Sequence, residues 1–428
     1  MNADNDDGPP AASPHPAVHS PFAAFRSRDF CFLAAGRVVA TIALQMQAVA
    51  VGFQVYALTH RALALGYVGL AQFLPVVTLS LATGHAADRF DRRGILIGCH
   101  VLAALCSLSF WLVARSANPS LFAIYGTLVV LGGARAFSGP ASAALLPSLI
   151  PTADFPNAAS WQSTLWQIGA IGGPSLGGLL YGLHGSAEPV YLGAAAGIAC
   201  AAVLTTFIQT RSGRSDRNPP TIATVLAGLR YVWSSKILLG SISLDLFAVF
   251  LGGAVALLPI YATDVLHVGA QGLGVLRSAP AFGSAAMAIF LAFRPLRRRI
   301  GRTMMIFVAV FGVATIVFGL SKSFLLSLAA LTVLGAADMV SVVVRMTLEQ
   351  AAAPPSMRGR VSAVKFVLVG ASNELGDLES GVAAALLGAV PAVVVGGIGT
   401  VLVVTIWSVL FPQLRDVDRF EDVKSTAP

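Results

Sequence analysis

Long apolar stretches, each about as long as a membrane is thick, recur along this chain of 428 residues. A helix needs roughly 20 apolar residues to cross the hydrocarbon core of a bilayer, and that length predicts about twelve spanning helices here. Their approximate spans are 30–58, 64–87, 94–114, 119–145, 157–183, 189–210, 237–263, 270–293, 302–320, 324–350, 360–388 and 390–411. The sequence therefore predicts an all-α membrane protein.

The overall composition excludes a soluble protein. The chain is 56% hydrophobic and only 11% charged, whereas soluble domains average about 25% charged residues. Its net charge of +8 is confined to a few short loops and does not form a nucleic-acid patch. The four cysteines lie inside apolar stretches without a metal-binding or disulfide pattern. We expect no cofactor, no metal and no nucleic-acid partner.

Lysine and arginine are concentrated in alternate loops, which orients the chain by the positive-inside rule. The basic loops hold Arg89, Arg92 and Arg93; Arg211, Arg214 and Arg217; Arg294 and Arg297 to Arg299; and Arg358 and Arg360. Both termini are thus predicted to be cytoplasmic, in a bacterial inner membrane. The predicted divisions are a disordered tail (1–20), a six-helix bundle (21–210), a cytoplasmic linker (211–236), a second six-helix bundle (237–411) and a cytoplasmic tail (412–428).

A dense charged cluster lies between the second and third apolar stretches. It contains Gly84, Asp88, Arg89, Arg92 and Arg93. Charge of this density is too costly within hydrocarbon, so we predict a short loop at the membrane surface. The pattern resembles the loop between the second and third helices of major facilitator superfamily transporters. That resemblance implies a gating role for these five residues.

The two halves of the chain look like repeats. Gly69-x-x-Gln72-x-x-Pro75 in the second stretch matches Gly274-x-x-Arg277-x-x-Pro280 in the eighth. A fourth-stretch segment around Arg135 matches a tenth-stretch segment around Asp338 at a similar offset. Two parallel six-helix halves that face each other are the arrangement of major facilitator transporters.

Several further motifs strengthen the resemblance. The small-residue seam of the fifth stretch, which permits close helix packing, resembles the antiporter motif of this superfamily; its residues are Gly169, Gly173, Pro174, Gly177 and Gly178. Arg135-x-x-x-Gly139 resembles the fourth-helix motif. Segments 357–364 and 370–376 resemble the enterobactin-exporter branch, in which an Asn is expected where Lys365 stands here. This resemblance implies a transporter, not an enzyme.

Ionisable residues inside the spans are the best functional candidates, because each is costly in a membrane unless it is paired or hydrated. Arg37 lies roughly 13 Å from the Arg28–Asp29 end of its predicted helix. Asp245 lies roughly 14 Å past Lys236 and Arg135 roughly 18 Å before Pro147, so all three are near the membrane centre. Thr41 and Gln45 share one helical face with Arg37. The superfamily resemblance implies that the first, fourth, seventh and tenth helices line a central cavity.

The chemistry of these groups divides them between two roles. Guanidinium stays charged at physiological pH, so we assign Arg37, Thr41, Gln45 and Arg135 to binding an acidic or phenolate-like substrate. A coupling proton needs an acid that can be protonated near neutral pH, which an apolar environment favours. Those candidates are Asp245, Asp338, Glu374 and Asp377. Structural ion pairing inside the bundle is the alternative reading of each.

We therefore predict a proton-coupled secondary transporter that exports a small organic molecule, such as a siderophore or a drug. Its expected partners are that molecule, protons and lipid, and we expect a monomer. An importer of a small organic anion is the main alternative, followed by a non-transporting scaffold or an intramembrane enzyme. Gly173-Pro-Ser175-Leu-Gly177 fits a hydrolase elbow formally, but that elbow needs a strand before the serine.

Overall fold

The computed structural model describes residues 22–210, 222–354 and 357–423, apart from some side chains within these ranges. In the first half, six long helices follow one another with short connections. They are α1 (Arg28–Thr59), α2 (Ala62–Arg89), α3 (Arg92–Arg115), α4 (Leu121–Leu149), α5 (Phe155–His184) and α6 (Glu188–Thr206). Ser27 and Ser120 cap the starts of α1 and α4 by accepting hydrogen bonds from backbone N–H groups, as N-terminal helix caps commonly do.

The second half repeats this arrangement after a short connecting helix. The helices are α7 (Ile222–Ser234), α8 (Lys236–Leu251), α9 (Leu258–Ile260), α10 (Gly269–Phe293), α11 (Ile300–Leu320), α12 (Phe324–Ala352), α13 (Arg358–Leu387), α14 (Ala389–Leu410) and α15 (Pro412–Arg415). A 3₁₀ turn (Ala254–Leu257) joins α8 to α9, and a π turn (Tyr261–Val265) follows α9. The seventh predicted span is therefore a broken helix, whereas its unbroken apolar sequence predicts a continuous one.

Helix packing within the two halves follows the same pattern. In the first half α1 packs on α5 and α6, α3 packs on α4 and α6, and α2 packs on α4. In the second half α8 packs on α13 and α14, α11 packs on α12 and α14, and α10 packs on α12. The halves meet through α5 against α10 and α2 against α13, which are equivalent pairs. The described residues thus form two pseudo-symmetric six-helix bundles, as predicted.

Ten spans in the described part of the chain are long and apolar enough to cross a membrane, the broken seventh one counted as Lys236–Val265. The remaining long helices, α5 and α13, carry more polar residues. Each of them packs across the interface between the halves. Helices that face another protein surface need less apolar side chain than helices that face lipid, which accounts for their composition.

The two ends of the bundle pack differently. We call the end where α1 begins and α14 ends the terminal end, and the opposite end the distal end. One buried apolar cluster joins the halves, through residues such as Val55 and Tyr261 near the distal end. Two other clusters, one around Phe30 and one around Leu348, each lie within a single half near the terminal end. The halves are therefore sealed together towards the distal end.

Segments outside the bundles are also packed. Within the expected linker, the described part forms α7, and its Tyr231 hydroxyl donates to the carbonyl of Ala352 over 2.9 Å. Residues 412–423 of the expected tail fold against the start of α11, and Leu414 is fully buried. Asp418 Oδ1 accepts from the backbone N–H of Arg299 at 3.0 Å.

The predicted loop around Asp88 is shorter than expected. Helix α2 continues to Arg89 and α3 begins at Arg92, so only Phe90 and Asp91 separate them. Asp91 accepts hydrogen bonds from the backbone N–H groups of Arg93 and Gly94. An acidic cap at the positive end of a helix is favourable, and it allows α3 to start directly at the basic residues.

Candidate functional site

The glycine seam of α5 lies against α1 and α10. A Cβ at Gly169 would lie 2.5 Å from Thr41 Cγ2, and one at Gly173 would lie 2.6 Å from Gln45 Cβ. Gly177 faces the backbone of Met46, which is also on α1. On the other side, a Cβ at Gly178 would lie 2.7 Å from Gly274 Cα. Thr41 and Gln45 therefore pack on α5 beside Arg37, at a seam where larger side chains do not fit.

Pro174 stands inside α5 within this seam and is buried. Its carbonyl oxygen would lie 2.5 Å from a Cβ placed at Gly274. Nearby, Ser175 and Ser278 are joined by a hydrogen bond of 2.8 Å, and Ser278 also donates to the carbonyl of Ile171. Backbone and hydroxyl groups thus hold the two halves together at α5 and α10.

The two predicted arginines have neutral partners. Arg37 Nη1 donates to Ser142 Oγ on α4 over 3.5 Å. Arg135 Nη1 donates to Gln72 Oε1 on α2 over 2.7 Å, and Arg135 is exposed. These hydrogen bonds orient the guanidinium groups without cancelling their charge. Both arginines are therefore suited to receive an anionic group.

Close helix packing sets the position of Gln72. A Cβ at Gly132 on α4 would lie 2.5 Å from the carbonyl oxygen of Gln72. This approach brings α2 and α4 together one turn before Arg135, since Gly132 and Arg135 are three residues apart. The Gly132 contact thus determines the register in which Gln72 meets the arginine.

The acids of the second half are placed differently. Asp245 on α8 forms a salt bridge with Arg345 on α12, and both side chains are about 95% buried. Glu349, one turn after Arg345, forms a salt bridge of 2.6 Å with Lys365 on α13. Asp245 Oδ2 and Glu349 Oε1 are buried without a hydrogen-bond partner among the described residues. The ion pairs therefore neutralise charge but leave carboxylate oxygens with spare capacity.

Asp338 and Asp245 line one small cavity between α8, α11 and α12. Ser341 adds a hydroxyl group, and Val308 and Phe311 close the side formed by α11. The volume is about 10 Å³, near the smallest space that holds one water molecule. Asp338 forms no salt bridge or hydrogen bond with any described residue, although it lies within electrostatic reach of Asp245 and Arg345. The cavity therefore brings together two acids, one of which is paired with Arg345.

The other predicted site residues fall into two groups. The surroundings of Gly84 and the side chains of Asp88, Arg89 and Glu374 lie outside what the structure describes. Arg92 Nη1 donates to the carbonyl of Ala144 over 2.9 Å, and Arg93 donates to the carbonyl of Thr206. Asp377 is half-buried on α13 and has a partner. The two basic residues thus tie the start of α3 to α4 and α6.

Five residues in these interactions are not among the predicted site residues, namely Ser142, Gln72, Arg345, Glu349 and Lys365. Gln72 belongs to the repeat motif, and Lys365 stands where the branch pattern has Asn. Each is polar within an apolar span, which was the available signal. Their partners come from other helices, so pairing could not be derived from spacing along the chain.

Comparison with known proteins gives one family over almost the whole chain. Residues 19–427 match the family described as transmembrane secretion effector. The enterobactin exporter EntS of Citrobacter koseri is 27% identical over 409 residues, covering 92% of this chain and 94% of that protein. The multidrug efflux pump Tap of Mycolicibacterium fortuitum is 27% identical over 392 residues, covering 86% and 92%. The similar proteins are named as exporters.

Solved structures share the fold. A bacterial homologue of the human lysosomal transporter spinster, in an inward-facing and occupied conformation, has a TM-score of 0.72 at 15% identity, covering 96% of this chain and 100% of that chain. The transporter PepTSo has a TM-score of 0.73 at 11% identity, covering 91% and 98%. At these identities the likeness concerns the fold alone.

Proposed function

The chain belongs to the transmembrane secretion effector family of the major facilitator superfamily, and we propose that it exports a small organic anion in exchange for protons. It is a multi-pass membrane transporter whose relatives are exporters. The substrate class that we favour is a phenolate siderophore or a drug with an acidic group. One relative is named an enterobactin exporter and another a multidrug efflux pump, which supports a siderophore or a drug as substrate.

One observation carries this proposal, namely the separation of charge between the halves. In the first half the hydrogen-bond partners of Arg37 and Arg135 are neutral and do not cancel the positive charge of the arginines. In the second half the acids Asp245 and Asp338 share a small cavity with Arg345 nearby. A cationic group is suited to hold an anion, and a buried acid is suited to take up and release a proton.

These features support a cycle in which substrate and proton use different groups. An anionic substrate binds at Arg37 and Arg135 from the side that is open. The coupling proton binds at Asp338 or Asp245, with Glu374 and Asp377 as further candidates. Protonation of Asp245 or Asp338 changes the charge around Arg345, which alters how α8 and α12 pack. We infer that this change is linked to opening and closing of the gap between the halves.

The positive-inside rule supports placing the terminal end in the cytoplasm. The charged residues Arg92, Arg93, Arg299 and Arg302 all lie at that end. The distal seal would then face the outside, and the space between the two halves would be accessible from the cytoplasm. Labelling of single cysteines at positions 93, 115 and 299 from each side of the membrane tests this. Labelling of positions 93 and 115 from the same side contradicts the assignment.

Proteoliposome flux with an imposed pH gradient tests the function. The panel should contain a phenolate siderophore, an acidic drug and a matched neutral drug. We expect gradient-driven transport of the anionic compounds. Arg135→Ala should lose substrate binding, whereas Asp338→Asn should retain binding and lose the response to the gradient. Asp416→Asn, an exposed acid of the tail that is paired with Arg415, is the matched control.

Two outcomes contradict this proposal. If Asp338→Asn and Asp245→Asn both respond fully to the gradient, the coupling acid is elsewhere. If the neutral drug is transported as well as the anions, the arginines do not select charge.

The proposed gating role of Asp88 has its own test. Asp88→Asn should reduce transport without lowering expression, and normal transport would indicate that this loop is only a membrane anchor.

A further inference from the structure

The broken seventh span ends in a short segment that reaches the other half. Helix α8 stops at Leu251, and Gly252 and Gly253 follow it. A Cβ at Gly253 would overlap Ser380 on α13, so only glycine fits this break. The chain then continues through α9 into the π turn Tyr261–Val265. Such π turns are frequent at functional sites.

The π turn holds Asp264 against Tyr56 at the distal end of α1. The Tyr56 hydroxyl donates a hydrogen bond to Asp264 Oδ2, which joins the two halves. Tyr56 is 5% exposed, whereas Asp264 is exposed. One turn before Tyr56, a Cβ at Gly52 would lie 3.4 Å from Pro259 on α9. The bond therefore lies at the edge of the distal seal, with the carboxylate on the open side.

Two other described contacts between the halves involve no acid. Ser175 and Ser278 form a hydroxyl pair deeper in the interface. Gly66 and Gly381 pack backbone to backbone. The bond from Tyr56 to Asp264 has a carboxylate acceptor, whereas the bonds of Ser278 with α5 have a hydroxyl or a backbone carbonyl acceptor. Its strength therefore depends on a group that takes up protons, because a hydrogen bond to an ionised acceptor is about twice as strong as a neutral one.

Other titratable and charged groups lie close to this bond or on the elements packed around it. The His60 ring contacts the Tyr56 ring with centroids 5.6 Å apart. His267 follows the π turn, and its Nδ1 lies 2.8 Å from the carbonyl oxygen of Thr263. Neighbouring elements carry further charged or titratable residues, namely Arg61 after α1, His184 on α5, Arg277 on α10, Lys322 after α11, and Asp377 and Glu379 on α13.

We propose that Asp264 is an entry site for coupling protons and that its hydrogen bond with Tyr56 latches the distal gate. This inference rests on the proposed proton-driven export, with the distal end facing outside. An ionised Asp264 holds the halves together. A proton from outside binds the carboxylate, Tyr56 keeps its own proton, and the remaining neutral bond is weaker. The protein then opens to the outside more readily, which favours release of substrate there.

Spin-label distances across the distal end test the latch without any substrate. Labels at Asn118→Cys and Ser323→Cys, in a background without native cysteines, report the separation of the halves at two exposed positions. In the wild type we expect one short distance at neutral pH and an added longer distance as the pH is lowered to about 4, where an ordinary aspartate takes up its proton. Asp264→Asn and Tyr56→Phe should each raise the ratio of long to short populations about tenfold at neutral pH, which corresponds to about 1.4 kcal/mol.

The control is Glu188→Gln, which removes a distal carboxylate that pairs with Arg115 inside one half. It should behave as the wild type. If Asp264→Asn keeps the wild-type populations and pH response, the proposal is wrong. If Asp264→Asn does not fold, Tyr56→Phe alone decides, and unchanged populations then reject the latch. A working latch with no pH-driven flux would reject the proposed function instead, so the two failures are distinguishable.

Discussion

The two halves share one fold but treat charge inside the bundle in opposite ways. In the first half, Arg135 is exposed and is held by the neutral amide of Gln72. In the second half, Asp245 is buried against Arg345, and Glu349 is paired with Lys365. A neutral partner orients a charge and leaves it available for a ligand, whereas an opposite charge cancels it. The comparison shows that pseudo-symmetric bundles can share a fold and still differ in how their internal charges are paired.

The largest expected effect concerns the buried pair. Arg345→Met leaves Asp245 buried without a cation, and breaking such a pair costs about 3–5 kcal/mol. We expect a large fall in the thermal unfolding temperature of the purified protein. The double variant Arg345→Met/Asp245→Leu should recover much of that loss. Arg135→Met in the first half should change stability little, because Arg135 is exposed; a comparable loss there would contradict the contrast.

The helix seams offer a second comparison of the halves. Gly132 on α4 and Gly335 on α12 are repeat equivalents, and each faces the backbone of a neighbouring helix. A Cβ at Gly335 would overlap the Pro280 carbonyl, whereas one at Gly132 would lie 2.5 Å from that of Gln72. Overpacking costs about 1–3 kcal/mol, so both alanine variants should unfold at lower temperature, Gly335→Ala more so. The opposite order would contradict the tighter second seam.

The amide of Gln72 sharpens the functional side of the comparison. Gln72→Leu removes the partner that orients Arg135. A hydrogen bond to a charged group contributes about 1.5–3 kcal/mol. Because this pair is exposed, we expect at most roughly a tenfold rise in KM. Transport of the anionic drug should weaken more than that of the neutral drug at equal pH. Gln72→Asn, which keeps an amide, should fall between. Equal losses for both drugs would mean that Gln72 only packs.

Much of the fold followed from the sequence because membrane helices are long and their loops are basic. The all-α transporter fold and its resemblance to exporters are confirmed. The break after Leu251 was not predictable, since the apolar pattern continues through it. The loop after Asp88 is shorter than the charged cluster predicts, because charge density marks the membrane surface but not the end of α2. The pairing of Asp245 with Arg345 depends on how α8 meets α12, which spacing along one helix does not reveal.

The smallest expected effect concerns how equivalent helices α3 and α11 begin. Asp91, next to α3 in sequence, caps it by accepting from two backbone N–H groups. The loop before α11 holds no acid between Arg294 and Arg302. There the tail takes over: Asp418 Oδ1 accepts from Arg299 N–H, and the carbonyls of Asp418 and Val417 accept from Ile300 and Gly301. The N-terminus of α11 is thus capped by residues 417 and 418, which are distant from it in sequence.

This difference predicts matched losses from distant positions. Asp91→Ala and Asp418→Ala should each lower stability by about 1 kcal/mol, as loss of an N-terminal cap typically does. The measurement is the thermal unfolding midpoint of each variant in detergent. Truncation after Phe411 should cost more stability than Asp418→Ala, because it also removes the two carbonyl acceptors and the buried Leu414. When the truncation is combined with Asp91→Ala, the two losses of stability should add, since distant sites act independently. If truncation matches Asp418→Ala alone, the backbone contacts of the tail contribute nothing and the side chain is the whole cap.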